Sequence, residues 1–218
     1  MTQIQSALKS VRASLQEGVE LVAVSKTKPV ALLLEAYEAG QRDFGENKVQ
    51  EMALKAATMP EDIRWHMIGH VQTNKIKYMA PFVHLVHGVD REKVLKELDK
   101  QAKKVSRIID CLLQVHIAQE ETKFGWSVAE LEALLPHMSL YPNVRVRGLM
   151  GMASNTDDEH QVRREFLDLN DLYKKHAQAQ HWDTLSIGMS SDYAIAMECG
   201  ATHVRIGSAV FGARNYAP

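Results

Sequence analysis

Eight short apolar runs separated by stretches of helical period predict an α/β fold: a single closed (β/α)8 barrel with one extra N-terminal helix. Strict alternation of strand and helix implies parallel pairing. The strand centres recur about every 26 residues from Ala23 to Arg205, the length of a short strand, a three-turn helix and two short loops. Eight such units suit a closed barrel better than an open sheet, the alternative being an open doubly wound sheet. No Pro- or Gly-rich linker divides the chain, so residues 1–218 read as one domain.

The first helix is expected over Gln3 to Gln16, where Ile4, Leu8, Val11 and Leu15 recur at helical spacing among polar residues. That pattern differs from the continuous apolar block of a signal peptide. Strands are expected at Leu21 to Ser25, Arg42 to Gly45, Arg64 to Ile68, Val83 to Val86, Ile108 to Ile117, Val144 to Met150, Thr184 to Ile187 and His203 to Ile206. Helices are expected to begin near Pro29, Asn47, Thr73, Arg91, Ser127, Asp157 and Ser190. Ser127 and Glu130 form a capping-box signature ahead of Leu131, Leu134 and Leu135. Only about ten residues follow the eighth strand, too few for a full outer helix, and the N-terminal helix can cover that gap.

Composition narrows the partners. The 218 residues carry 26 Lys+Arg against 27 Asp+Glu, a formal charge of -1, which gives no cationic surplus for nucleic acid or an anionic membrane. The longest apolar run, Val30 to Leu34, is far short of the roughly 20 residues that span a bilayer. Cys111 and Cys199 lie in apolar stretches without Cys-x-x-Cys spacing and read as buried reduced thiols of a cytoplasmic protein. Among the ten histidines, His84 and His87 are expected on opposite faces of a strand, and His66 and His70 span a strand end and its loop. No metal site is expected from that spacing.

In a barrel of this kind, functional residues belong at the C-terminal strand ends, with a phosphate site after strands seven and eight. Lys26 follows the first strand and shares parity with Val22 and Val24, so all three face one side of the sheet. It reads either as a surface charge entering the Thr27-Lys28-Pro29 turn or as a desolvated amine able to condense with a carbonyl. The seventh strand ends in Ser186-Ile187-Gly188-Met189-Ser190-Ser191-Asp192 and the eighth in His203-Val204-Arg205-Ile206-Gly207-Ser208. Gly and Ser are ordinary turn residues. Two such turns on adjacent strands, opposite a strand-end lysine, point more specifically to a phosphate cradle.

Several blocks resemble one family: Ala23-Val24-Ser25-Lys26-Thr27-Lys28-Pro29, Phe44-Gly45-Glu46-Asn47, Trp65 to Lys75, Arg147-Gly148-Leu149-Met150, Leu185 to Asp192 and Val204 to Gly212. This is the YggS/PROSC family of pyridoxal phosphate homeostasis proteins, and the resemblance runs in order from about Leu21 to Arg214. It implies a TIM barrel like the N-terminal domain of alanine racemase and pyridoxal 5'-phosphate (PLP) as cofactor. By the same resemblance Lys26 holds PLP as a Schiff base, Arg205 faces the pyridine nitrogen, Ser190, Gly207 and Ser208 bind the phosphate, and Asn47 lies near the ring. Lys123 corresponds to a second family lysine, and it reads equally as a solvated loop charge. The chain departs from the family at Lys48, commonly Tyr, and at His70-Val71, often Pro-Leu.

The function so implied is PLP and amino-acid homeostasis, by buffering PLP or delivering it to apo PLP-dependent enzymes, from a monomer or weak homodimer. Turnover is not expected. An arginine beside the pyridine nitrogen keeps it unprotonated and the ring a poor electron sink. Barrel racemases share that arginine and add a second domain with a tyrosine base, whereas this chain ends at Pro218. The alternatives are a PLP-dependent amino-acid racemase or decarboxylase, and a cofactor-free aldolase in which Lys26 condenses with a phosphorylated sugar.

Overall fold

Eight parallel strands close into a barrel in chain order, with the last strand pairing back to the first in the computed structural model. Residues 1–120 and 122–212 are described. The strands are β1 (Glu20–Val24), β2 (Asp43–Glu46), β3 (Arg64–Met67), β4 (Leu85–Val89), β5 (Ile109–Gln114), β6 (Val144–Met150), β7 (Thr184–Met189) and β8 (His203–Ile206). Each expected strand is present, with its ends moved by at most three residues. A two-residue shift has a consequence for the site: β4 begins at Leu85, so His84 lies outside the strand alternation expected to place it opposite His87.

Helices α2 (Val30–Glu38), α3 (Val49–Ala56), α4 (Ile76–Met79), α5 (Glu92–Lys104), α6 (Val128–Leu134), α7 (Glu159–Gln180), α8 (Tyr193–Glu198) and α9 (Ser208–Phe211) connect and follow the strands. The Ser127–Glu130 capping box opens α6 as expected. Asp158 caps α7 through the N–H groups of His160 and Gln161. The eighth outer position holds only the single turn of α9, and α1 (Gln3–Ser14) packs across α9 and α2 to cover it. Burial of Ile4, Leu8 and Val11 drives that docking. Truncating Leu8, which is fully buried, to Ala removes about 2–5 kcal/mol.

Most of the apolar core lies between the strands and their helices, around Phe44, Trp65, Met67, Leu113 and Phe166. Within the barrel, Leu85, Leu112 and Met150 form a smaller apolar layer. It sits among buried polar groups: His66, His87, Gln114, Ser186 and Arg205. The β5–β6 register shifts between Cys111 and Leu112. There Gly148 adopts φ +149°, and a Cβ on it would fall 1.8 Å from the Thr184 carbonyl oxygen, so only glycine lets the two chains pass. Cys111 and Cys199 are buried free thiols, both pushed upward in pKa by desolvation. Among the described residues no helix is long and apolar enough to cross a membrane.

Candidate functional site

A cavity of about 480 Å³ opens at the C-terminal ends of the strands, and Lys26, Asn47, Ser190, Arg205, Gly207 and Ser208 all line it. Val24 lines it too, as its parity with Lys26 requires. Lys26 is half-buried two residues past β1. The turn that follows is strained: Thr27 is a β-branched residue at φ +63°, a conformation that costs about 1–3 kcal/mol. Its N–H donates to Glu51 Oε1 at 2.6 Å. Glu51 in turn pairs with Lys55, which reaches the Ser25 carbonyl oxygen at 2.8 Å and Glu46 Oε1 at 2.7 Å. A buried ionic brace thus fixes the backbone on both sides of Lys26. Burial raises the Glu46 pKa, against the lowering effect of Lys55 and Ser25.

The two Gly/Ser turns are joined to each other, because the Gly207 N–H donates to Ser190 Oγ at 3.2 Å. Asp192 Oδ1 accepts the Met189 N–H at 2.5 Å and shapes the first turn, so α8 starts at Tyr193 and not at the expected Ser190. A Cβ on Gly207 would stand 3.2 Å from the Val24 backbone oxygen, which explains the glycine as a close approach of β8 to β1. Among the described residues, the N–H groups of Ser191, Ser208 and Ala209 find no acceptor. Together with three serine hydroxyls they form a concave, donor-rich turn pair on the cavity wall.

Arg205 is buried, with Nη1 donating to the Ser186 carbonyl at 2.7 Å and to Ser186 Oγ at 2.6 Å, and Nη2 to the Gly151 carbonyl at 2.9 Å. Desolvation lowers its pKa to about 10, with Asp192 opposing, and it stays cationic at neutral pH. From Ser186 a chain of contacts runs down the barrel: Ser186 Oγ to His87 Nδ1 at 2.9 Å, His87 Nε2 to His66 Nδ1 at 2.9 Å, and His66 Nε2 to Asp43 Oδ1 at 3.0 Å. Arg205 only donates and an ionised Asp43 only accepts. With one proton on each ring, every link therefore points one way, from Arg205 to Asp43, and both imidazoles carry hydrogen on Nε2. Burial pushes the Asp43 carboxyl upward, but hydrogen bonds from His66 and Arg64 outweigh it and hold the carboxyl well below the usual range.

His84 also reaches this lower end. Its ring centroid lies 5.4 Å from that of His66, against 5.2 Å for His87, so the expected separation of His84 and His87 to opposite faces is overturned. Strand alternation does not govern a residue that precedes the strand. His203 follows at 6.4 Å. Ser186, His87, His66 and Asp43 were not identified from sequence as supports of Arg205. For His87 and Ser186 the signal is a polar residue within a largely apolar strand; Asp43 and His66 lie in half-polar strands that give none.

Lys123 does not line the cavity; its Nζ donates to the Ala153 carbonyl at 2.6 Å and pairs with Glu120 at 3.0 Å. Lys28 lines it and also donates to the Phe211 and Gly212 carbonyls, tying the turn after β1 to the end of α9. The departures Lys48 and His70 face a neighbouring groove. There His70 pairs with Asp90 at 2.7 Å and stacks on Phe124 at 4.0 Å, and Val71 is buried.

The family model described as "Alanine racemase, N-terminal domain" matches residues 1–215. A pyridoxal phosphate homeostasis protein of Vibrio alginolyticus is 43% identical over 207 residues, covering 92% of this chain and 89% of that protein. One from Pseudomonas aeruginosa is 41% identical over 199 residues, covering 91% and 86%. The solved structure of PipY from Synechococcus elongatus with PLP bound superposes with TM-score 0.88 at 36% identity, covering 96% of this chain and all of that one. The same protein without PLP gives 0.92 at 37% identity with the same coverage. An alanine racemase from Bartonella henselae shares the fold at TM-score 0.75 and 16% identity, this chain covering 61% of it.

Proposed function

The chain belongs to the pyridoxal phosphate homeostasis proteins, within the alanine racemase N-terminal domain family, and on that premise we propose that it binds PLP at the C-terminal mouth of the barrel and buffers or delivers it without turnover. The carrying observation is the convergence of Lys26, Arg205 and the paired Gly/Ser turns on one cavity. The residues fit the cofactor: unpartnered N–H groups at the turns match a phosphate, and a primary amine lines the same cavity as a buried guanidinium. Bound PLP supplies an aldehyde that condenses with amines and a ring that withdraws electrons.

In this reading Lys26 offers its amine to the aldehyde, with its backbone fixed by the Glu46–Lys55–Glu51 brace. Ser190, Gly207 and Ser208 hold the phosphate. Asn47 packs near the ring, and Arg205 donates to the ring nitrogen and leaves it without a proton. Among the described residues lining the cavity, the ionisable groups are Lys26, Lys28 and Arg205; no tyrosine, histidine or carboxylate lines it. The described lining residues thus include no tyrosine, histidine or carboxylate to act as a second base on the α-proton of a bound amino acid, which supports holding over turnover. The deciding experiment is the absorption spectrum of the purified protein before and after borohydride reduction, with the modified lysine located by mass spectrometry. PLP on Lys26, and loss of the reducible band in Lys26→Ala with the fold retained, are the expected results. A reducible adduct at Lys28 or Lys123 instead would reassign the amine.

A further inference from the structure

The N-terminal mouth of the barrel, opposite the cofactor cavity, gathers groups with no part in holding PLP. His66, His84 and Asp43 each present one ligand atom, and these atoms lie within 4.8 Å of one another. The spacing argument missed them because they come from β3, the segment before β4, and β2, which the pairing of neighbouring strands brings together. Two imidazoles and a carboxylate are a donor set for a borderline first-row dication. Bonds near 2.0–2.1 Å require tetrahedral ligand atoms about 3.4 Å apart. Asp43 and His66 already stand at 3.0 Å, and half-exposed His84 is held by its backbone N–H on the Trp65 carbonyl while its ring makes no hydrogen bond among the described residues.

We propose that this mouth binds one transition-metal dication, with Zn²⁺ as the reference ion, through Asp43, His66 Nε2 and His84, leaving a fourth position for water. Two groups must give way. Arg64 clamps both oxygens of Asp43, but its side chain is 46% exposed and can turn to solvent. The cation also displaces the Nε2 proton of His66. His66 then carries its proton on Nδ1 and donates to His87 Nε2, and His87 donates from Nδ1 to Ser186 Oγ. Solvent takes the displaced Nε2 proton and returns one to the chain, so each ring keeps one proton, and the Ser186 hydroxyl retains its own proton while its oxygen accepts from both Arg205 and His87. Metal occupancy is thereby reported as a tautomer reversal along the chain that ends on Arg205.

Titration of the full chain with Zn²⁺ by calorimetry, and with Co²⁺ by visible absorption, tests the site. One ion per chain is expected. His84→Asn should weaken binding at least about tenfold. Arg64→Gln should tighten it, because the carboxylate is released, a direction that general destabilisation does not produce. Lys26→Ala, at the other mouth, should leave it unchanged. In ¹⁵N spectra His87 should move from the Nε2–H to the Nδ1–H tautomer on saturation. Absence of binding up to about 1 mM Zn²⁺, equal affinity in His84→Asn, no tightening in Arg64→Gln, loss of binding in Lys26→Ala, or an unchanged His87 tautomer would each overturn the assignment.

Discussion

Arg205 donates from Nη1 to Ser186 Oγ at 2.6 Å, and this contact is the upper end of a one-way chain that finishes on Asp43 at the opposite mouth. A buried guanidinium without a direct carboxylate partner is costly. Here two carbonyl oxygens and a polarised hydroxyl share its protons, and the His87 and His66 rings link it to the counter-charge of Asp43.

Breaking that relay should cost stability. Ser186→Ala removes an acceptor from Arg205 and the donor to His87, and about 1–3 kcal/mol is expected, read as a lower urea midpoint. His87→Phe leaves His66 Nδ1 without its donor and the Ser186 hydroxyl proton without its acceptor, and should cost a similar amount. A wild-type midpoint in Ser186→Ala would mean that the Ser186 and Gly151 carbonyls suffice to hold Arg205.

The phosphate turns give a binding prediction. A hydrogen bond to a charged acceptor contributes roughly 1.5–3 kcal/mol, so Ser208→Ala should weaken PLP binding by about one to two orders of magnitude. Pyridoxal, lacking the phosphate, should bind the unmutated protein far more weakly than PLP. Equal Kd values for the two ligands would sink the phosphate assignment.

Holo-protein incubated with L-amino acids in deuterated water should show no racemisation, transamination or decarboxylation near the enzyme median of about 10 per second. The described residues lining the cavity include no tyrosine, histidine or carboxylate, and a reaction without a positioned base lacks the roughly 100- to 10,000-fold contribution of acid-base catalysis. Chiral analysis and mass spectrometry of the amino acids provide the readout. Turnover that vanishes in Lys26→Ala would establish an enzyme.

Stability should fall with acidity in a defined window. Burial, reinforced by His66, lowers His84 and His203 from 6.5 to about 4, and burial holds His87 well below 6.5. Between those values the unfolded chain binds protons that the folded chain excludes, so stability is complete above 6.5 and is lost as pH drops toward 4. Asp43, depressed by His66 and Arg64, adds a further loss below its ordinary carboxylate value of 3.8. Urea midpoints across this range provide the check. His84→Gln together with His203→Gln should flatten the slope, and an unchanged slope would place the titrating groups elsewhere.

The barrel was legible in the sequence because period and repeat are local properties: the alternating strands and helices, their spacing and the Ser127–Glu130 cap survive any uncertainty about neighbours. Lys26, Asn47, Ser190, Arg205, Gly207 and Ser208 could be named because strand ends and Gly/Ser turns are marked along the chain, and the resemblance gave each of them a role. Tertiary structure decided what crosses between strands. The Glu46–Lys55–Glu51 brace under Lys26 and the course from Arg205 to Asp43 depend on register and on closure of β8 against β1. The meeting of His66 with His84 depends on β4 starting two residues later than its apolar run suggests. The links from His66 to His87 and from His87 to Ser186 join residues 21 and 99 positions apart, and a single sequence carries no signal for which inward-facing side chains a closed barrel will place at the same height.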